Sequence, residues 1–557
     1  MSLFARLSRA VSPFPMPVSS LIAMLLAPAM ISASALAQAP QVQRIFPPGG
    51  SRGQTVDVEL KGKLADAELQ VWSNRPGLTW QSKEEPGKFR VVIEPDAEPG
   101  LYLVRFYDAK GASSLQRFVV GSSPEISEQE PNDRVDQSQS IETTPLLING
   151  VLEKGDDVDL YAVQLKAGST LVAALEAERL LKSPVDACLQ IVDEKANVLA
   201  MNLDYHGLDP LLTWTAPRDG RFGVRVFGFP SAPDSTIRLA GSDDYVYRLT
   251  LTAGPYLEAT LPLAISATEP TVLQPRGWNL DASSASLSVQ PGAAANAAGR
   301  QGHWVSLDGA SGSLQVPIVD CPIHVAPSQT AEAPASMVVT IPSSITGCLS
   351  EPNAEDTFVF KVKKGERLVA SIESRSLGYP LDAMLRIHSI EGKQLTREDD
   401  TKTSRDPVMR WTAPEDGEYR IIISEVNGMA VRHGYYRLSL AHESPSFTVT
   451  TTGDLVTGKV NEPLPLTLAI TRQNGFDGRL TFKLVDAPQG LTAAAVTSEA
   501  KGDTAKEVKW SITATEPFNG PIRVAITSEG GGADASSPAL VVASDSQLED
   551  LWLVALP

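Results

Sequence analysis

Cysteine is scarce here: the 557 residues include Cys188, Cys321 and Cys348 only. Three are too few for a disulfide-built scaffold, so hydrophobic cores must hold the fold. Histidine is sparse and dispersed as well. His206, His303, His324, His388, His433 and His442 never fall into H-E-x-x-H, and C-x-x-C-H does not occur, which removes a zincin site and covalent haem. Gly309-Ala310-Ser311-Gly312 comes nearest to a nucleophile elbow, but it lacks the G-x-S-x-G spacing and sits in a Gly/Ser loop. No glycine-rich phosphate loop opens a helix. The acidic pairs Asp243-Asp244 and Asp399-Asp400 read as solvated loops rather than as acid/base pairs. Beyond the first 37 residues, no apolar run is long enough to span a bilayer.

Positive charge is also in deficit, with 48 Lys and Arg against 66 Asp and Glu. Residues 1–37 read as a secretory signal: Arg6 and Arg9 lie in a long n-region, Ser20 to Leu36 is apolar or small, and Ala35-Leu36-Ala37 is an A-x-A cleavage site ahead of Gln38. An uncleaved anchor is the alternative, although Pro28 and several serines dilute the run. No cysteine follows it, which argues against a lipid anchor. Removing the signal takes away two positive charges, so the net charge of −18 becomes −18 − 2 = −20. Such a surface repels nucleic acid and anionic lipid and favours cations as small partners. With 42% hydrophobic and 20% charged residues the chain falls among soluble globular proteins. Its length suits about three to five domains.

What is present is strand alternation. Val56, Val58 and Leu60 alternate with Asp57 and Glu59 after the turn Pro47-Pro48-Gly49-Gly50, and Leu101 to Phe106 repeats the pattern. Further on, an internal repeat dominates. Gly150, Asp159, Asp209, Trp214, Pro217 and Gly220 recur 197 positions later as Gly347, Asp356, Asp406, Trp411, Pro414 and Gly417, and Phe222, Val224 and Val226 recur as Tyr419, Ile421 and Ile423. Both copies should bury the same face. After Pro445, alternation at Leu464, Leu466, Leu468 and Ile470, and again at Val508, Trp510 and Ile512, predicts one more sandwich of immunoglobulin type.

The expected class is therefore all-β, built of tandem β-sandwiches; the resemblances given below imply that two of them are jelly-roll-like and interleaved with immunoglobulin-like modules. The expected order is signal 1–37, module 38–120, sandwich 121–254, reduced module 255–326, sandwich 327–444 and a C-terminal sandwich 445–557.

Oxygen-bearing side chains cluster at Glu128, Glu130, Asn132 and Asp133, and again at Asp156 and Asp159. They are hard ligands of the kind that surround Ca²⁺, provided the fold brings the clusters together. The alternative is a solvated linker with turn-forming Asp residues. In the second copy only Glu332 remains upstream, with Asn353 and Asp356 downstream, so that copy is not equipped for the ion.

The wording EQEPND, VLEKGDDVDLYAVQLKAG and TAPRDGRFGVRV resembles the bacterial pre-peptidase C-terminal domain, a jelly-roll-like sandwich appended to many secreted peptidases, over about 125–251. Residues 38–120 and 255–326 resemble the immunoglobulin-like TIG modules of bacterial surface proteins. In related collagen-binding domains an E-x-E-x-N-D segment and a D-x-x-D pair hold calcium together. The resemblance therefore implies calcium at Glu128, Glu130, Asn132, Asp133, Asp156 and Asp159.

The functional expectation is a secreted or periplasmic, non-catalytic binding or spacer protein. Its partner would be an extracellular or envelope protein or polysaccharide. The rival is the accessory part of a secreted peptidase, or a hydrolase with an unrecognised site. Two local expectations accompany this. A Cys321–Cys348 bridge would close a loop of about 26 residues worth about 3 kcal/mol, unless Cys348, at the place of Val151, is core. The loop from Phe227 to Tyr245, with Phe229, Tyr205 and His206 nearby, either offers a ligand surface or packs.

Overall fold

Alternating apolar residues place one face of each strand inside, and the chain consists almost wholly of such strands. The computed structural model describes residues 39–64, 68–230, 238–281, 286–290, 302–327, 336–402, 404–530, 541–542 and 550–557. The expected signal and Glu332 lie outside them. Among the described residues the helical turns are Glu178–Leu181 and Arg375–Leu377. The all-β expectation holds, as do tandem sandwiches.

In the first module, the strands Gln41–Phe46, Thr55–Lys63, Lys88–Ile93 and Leu78–Ser82 form one sheet; the second is built on Gly49–Ser51, Gln116–Gly121, Gly100–Asp108 and Gln70–Ser73. Val58, Leu60, Val91, Phe106 and Phe118 fill the space between.

The first sandwich has two five-stranded sheets. One runs Glu125–Ser127, Leu146–Val151, Val246–Thr252, Thr170–Glu176, Leu211–Thr215; the other runs Gln139–Ile141, Asp159–Leu165, Gly220–Phe229, Asp186–Val192, Val198–Asn202. The second sandwich repeats both orders, from Ile323–Val325 to Val408–Thr412 and from Ser336–Val338 to Gln394–Glu398. Because Ile323–Val325 is a strand of this sheet, the second sandwich begins ahead of residue 327.

Two recurring residues gain a physical reason. Gly150 faces Tyr247 across the ladder and Gly347 faces Tyr436. In each case a Cβ would come within 2.3 Å of the phenol's Cζ and hydroxyl. Asp209 accepts the backbone N–H groups of Ala177, Glu178 and Arg179, and Asp406 those of Ser374, Arg375 and Ser376. Each carboxylate thus satisfies the otherwise unpaired donors of a helical turn.

Ala39–Pro557 forms one compact unit rather than separate beads. Trp304 of the middle module stands over Gly100, and Trp552 of the last sandwich packs against Trp72 and Tyr107, with its ring nitrogen donating to Asn519. Tyr205 and His206 are spent on such junctions. Tyr205 donates to the buried Glu258, whose Oε2 lies 2.5 Å from His433 Nδ1, and His206 meets the Gly378 carbonyl. Phe227 and Tyr245 pack as well, while Phe229 stays exposed.

All three cysteines are free thiols, contrary to the bridge. Cys348 packs beside Ala259, Leu263, Tyr379 and Tyr435, whereas Cys321 lines a separate groove with Pro322 and Ile323. Cys188 is core, as expected.

Candidate metal centre

The site forms where an edge strand ends beside the start of a buried one. Glu125–Ser127 runs parallel to Leu146–Val151, and Glu128 continues the ladder by donating its N–H to Asn149 O. The chain then crosses to the other sheet, where the Asn132 carbonyl accepts the Leu160 N–H at 3.1 Å. That bond lays the linker across the start of Asp159–Leu165.

Carboxylate oxygens of Glu128, Glu130 and Asp159 come within 4.8 Å of one another. Ligands at about 2.3–2.6 Å from one Ca²⁺ are separated by comparable distances. Glu128 uses Oε1 to accept the Val151 N–H at 2.8 Å and turns Oε2 inward. Glu130 accepts the Asn132 N–H at 3.0 Å and remains open to solvent. Asp159 is buried, with Oδ2 accepting the Tyr247 hydroxyl at 2.5 Å. Tyr161 and Tyr247 join hydroxyl to hydroxyl at 2.5 Å, both within 3.5 Å of Glu128 Oε2. Glu125, although close in sequence, is taken by Arg248 at 2.7 Å.

The decisive feature is a set of buried polar atoms without hydrogen bonds. Asn132 is fully buried, yet neither its Oδ1 nor its Nδ2 has a partner; Asp157 Oδ1 and Asp159 Oδ1 also lack one. An unpartnered buried polar atom costs about 1–3 kcal/mol, and more when charged. The three unpartnered oxygens, of Asn132, Asp157 and Asp159, fit a cation bound there; the Asn132 amide nitrogen, a donor, does not.

Electrostatics agree. Burial, and then the charge of Asp159, pushes the Glu128 carboxyl well above the usual carboxylate range. Burial raises Asp159 too, with Asp157 and Glu130 adding to it against the Tyr247 hydrogen bond. Glu130 and Asp157 are also raised, burial first. A divalent ion would reverse this repulsion.

The expected ligands do not all meet. Glu128, Glu130 and Asp159 converge, Asn132 is buried and joined by its backbone to Glu130 and Leu160, and half-buried Asp133 stands close enough to repel Glu130 and Asp157. Asp156 is turned away, a correction to the D-x-x-D reading. It adopts a left-handed φ of 66° and accepts the Leu239 N–H at 2.9 Å. Its counterpart Asn353 has φ 55°, so this is a turn position for which Asx residues are suited.

Asp157 rather than Asp156 is the buried one of the two, near enough for its charge to act on Glu130 and Asp159, although its oxygens are not among the three that converge. Its Oδ2 accepts the Glu153 N–H at 2.6 Å, and Lys154 approaches Oδ1 only to 4.0 Å. Strand register pairs Glu125 with Leu147 and Ile323 with Ser344, which sets Ala326 at the place of Glu128. Ala354 replaces Asp157 and Phe358 replaces Tyr161, while Asp356 keeps the bond from Tyr436 at 2.5 Å. Thus Asp157, Tyr161 and Tyr247 were missed; for Asp157 and Tyr161 the signal was loss in the second copy together with Glu128, whereas Tyr247 is kept there as Tyr436.

No protein-family model matches the chain. No curated protein matches it either. Solved structures do. One is the pre-peptidase C-terminal domain of a Bacillus anthracis collagenase, at 14% identity, covering 20% of this chain and 99% of that one with a TM-score of 0.16. Another is Aeromonas hydrophila PliG, a periplasmic inhibitor of g-type lysozyme, at 13% identity over 19% of this chain and 99% of that one, TM-score 0.14. A putative secreted protein from Eubacterium rectale matches at 13% identity over 35% and 70%, TM-score 0.16.

Proposed function

We propose that the chain is a non-catalytic, exported array of β-sandwiches acting as a binding or spacer protein at the cell envelope, with calcium stapling its first sandwich. The unpartnered atoms of Asn132, Asp157 and Asp159 beside Glu128 and Glu130 carry the calcium reading. The ion would be held by Glu128, Glu130, Asn132, Asp157 and Asp159, with Asp133 adding negative charge nearby. It would supply structure, tying the 128–133 linker to the Asp159–Leu165 strand. Among the described residues no helix is long and apolar enough to cross a membrane.

The test is thermal unfolding of the mature chain in calcium and in chelator. A ligand that binds only the native state adds about 2.7 kcal/mol at a hundredfold excess over Kd. The first sandwich should show this stabilisation and the second should not. An unchanged melting profile would defeat the reading.

A further inference from the structure

The two sandwiches differ sharply at one corresponding edge. Val198–Asn202 ends its sheet and pairs with Asp186–Val192 alone among the described residues; Gln394–Glu398 ends the corresponding sheet in the second copy. An unpaired edge invites further strands, and sequences usually guard it with charge. The second copy follows that rule with Arg397, Glu398, Asp399 and Asp400. At the matching positions the first copy has Met201, Asn202, Leu203 and Asp204.

Its apolar side chains face solvent. Val198 is 49% exposed, Leu199 41% and Met201 53%, and Leu203 continues the row. Ala200 packs toward the core, so alternation sends Met201 and Leu203 to the outer face, where Gln190 holds the Met201 sulfur at 3.4 Å; Leu199, exposed as well, is the extra residue of a bulge in the ladder. Residues 238–240 lie elsewhere. Gly228 pairs with Ala240, and Leu239 bonds to Asp156, on the side of the sheet away from Asp186–Val192. Acidic groups flank the row: Asp193 and Glu194 before it, beside the single Lys195, and Asp204 after it near Asp186.

We propose that Val198–Asn202 is a docking edge for an extended segment of a partner protein, which adds as a sixth strand, with apolar side chains over Leu199 and Met201 and basic residues at its ends. Main-chain hydrogen bonds would give affinity, and the apolar row with its acidic flanks would give specificity. The acidic flanks and the strongly negative chain favour a basic partner over a second copy of itself. This deepens the binding-module reading without depending on the calcium site.

The probe is a labelled peptide of alternating valine and threonine with lysines at both ends, titrated into the full mature chain. A Val198→Gln/Met201→Arg/Leu203→Asp variant writes the second copy's residues into the first. The same fold already carries them at Gln394, Arg397 and Asp399, so folding should persist, and a circular-dichroism spectrum and melting temperature like those of wild type verify it. Wild type should bind one peptide, the variant at least about tenfold more weakly. The reciprocal Gln394→Val/Arg397→Met/Asp399→Leu chain should bind two. A glutamate-flanked peptide should bind more weakly than the lysine-flanked one. Equal affinity of variant and wild type, or no binding by wild type at about 1 mM peptide, would overturn the proposal. So would a concentration-dependent dimer that the triple substitution abolishes, because the occupant would then be a second copy. Wild type that shows the calcium shift yet binds no peptide would sink the docking edge alone.

Discussion

Gly150→Ala perturbs the metal centre without altering any ligand. The new Cβ would lie 2.3 Å from Tyr247 Cζ and hydroxyl and 2.7 Å from Glu128 Oε2, against an ordinary contact of about 3.5 Å. Tyr247 must retreat by about 1 Å, and its 2.5 Å bond to Asp159 lengthens or breaks. Overpacking of this kind costs about 1–3 kcal/mol. Leaving the Asp159 oxygen unpaired adds about 1–3 kcal/mol. Gly347→Ala meets the same obstacle in Tyr436, whose hydroxyl bonds to Asp356. Both substitutions should destabilise their own sandwich by about 2 kcal/mol or more, which speeds exchange of core amides by about thirtyfold. Only Gly150→Ala should also weaken calcium binding. Hydrogen exchange with mass spectrometry, read on Asp159–Leu165 and Glu355–Val362, measures both effects. Less than about threefold acceleration in either copy would refute the claim that the glycine is there for the tyrosine.

Other outcomes follow from separate contacts. Asp209→Ala and Asp406→Ala each strip three backbone N–H groups of their acceptor and should cost similar amounts, about 1–3 kcal/mol, in urea unfolding. In the absence of calcium, the raised carboxyls of Glu128, Glu130, Asp157 and Asp159 bind protons more tightly in the folded chain. Their stabilisation is complete below the ordinary carboxylate range and is lost as pH climbs through neutrality, so melting in chelator should fall from about pH 5 to about pH 8. Saturating calcium should oppose that fall. Trp552→Ala removes the ring between Trp72, Tyr107 and Arg105, costs about 3–5 kcal/mol and should increase the radius of gyration in X-ray scattering as the last sandwich leaves the first module. Thiol titration of unreduced, denatured protein should find three free groups.

The repeat was legible because its marks are local and obligatory. Gly150 and Gly347 make room for a tyrosine, Asp209 and Asp406 cap a turn, and the Phe222 and Tyr419 strands alternate. Glu128 and Glu130 were readable from a dense cluster of oxygen donors. Asp156 against Asp157 was not, since adjacent aspartates look alike until a left-handed φ assigns one to the turn and the other to the interior. Tyr161 and Tyr247 were hidden for another reason: they lie 86 residues apart and meet only because their strands face each other across the sandwich. Nothing in spacing showed that Trp552 would close back on Trp72, or that Tyr205 and His206 would be spent on junctions. Those contacts join segments whose local patterns are each complete without the other.

Calorimetric titration of calcium into the mature chain tests the account most directly, comparing wild type with Asp157→Asn and Asp156→Asn. One ion should bind wild type and Asp156→Asn with similar affinity, while Asp157→Asn binds at least about tenfold more weakly. Absence of binding at about 1 mM calcium, or loss in Asp156→Asn with Asp157→Asn unaffected, would contradict it.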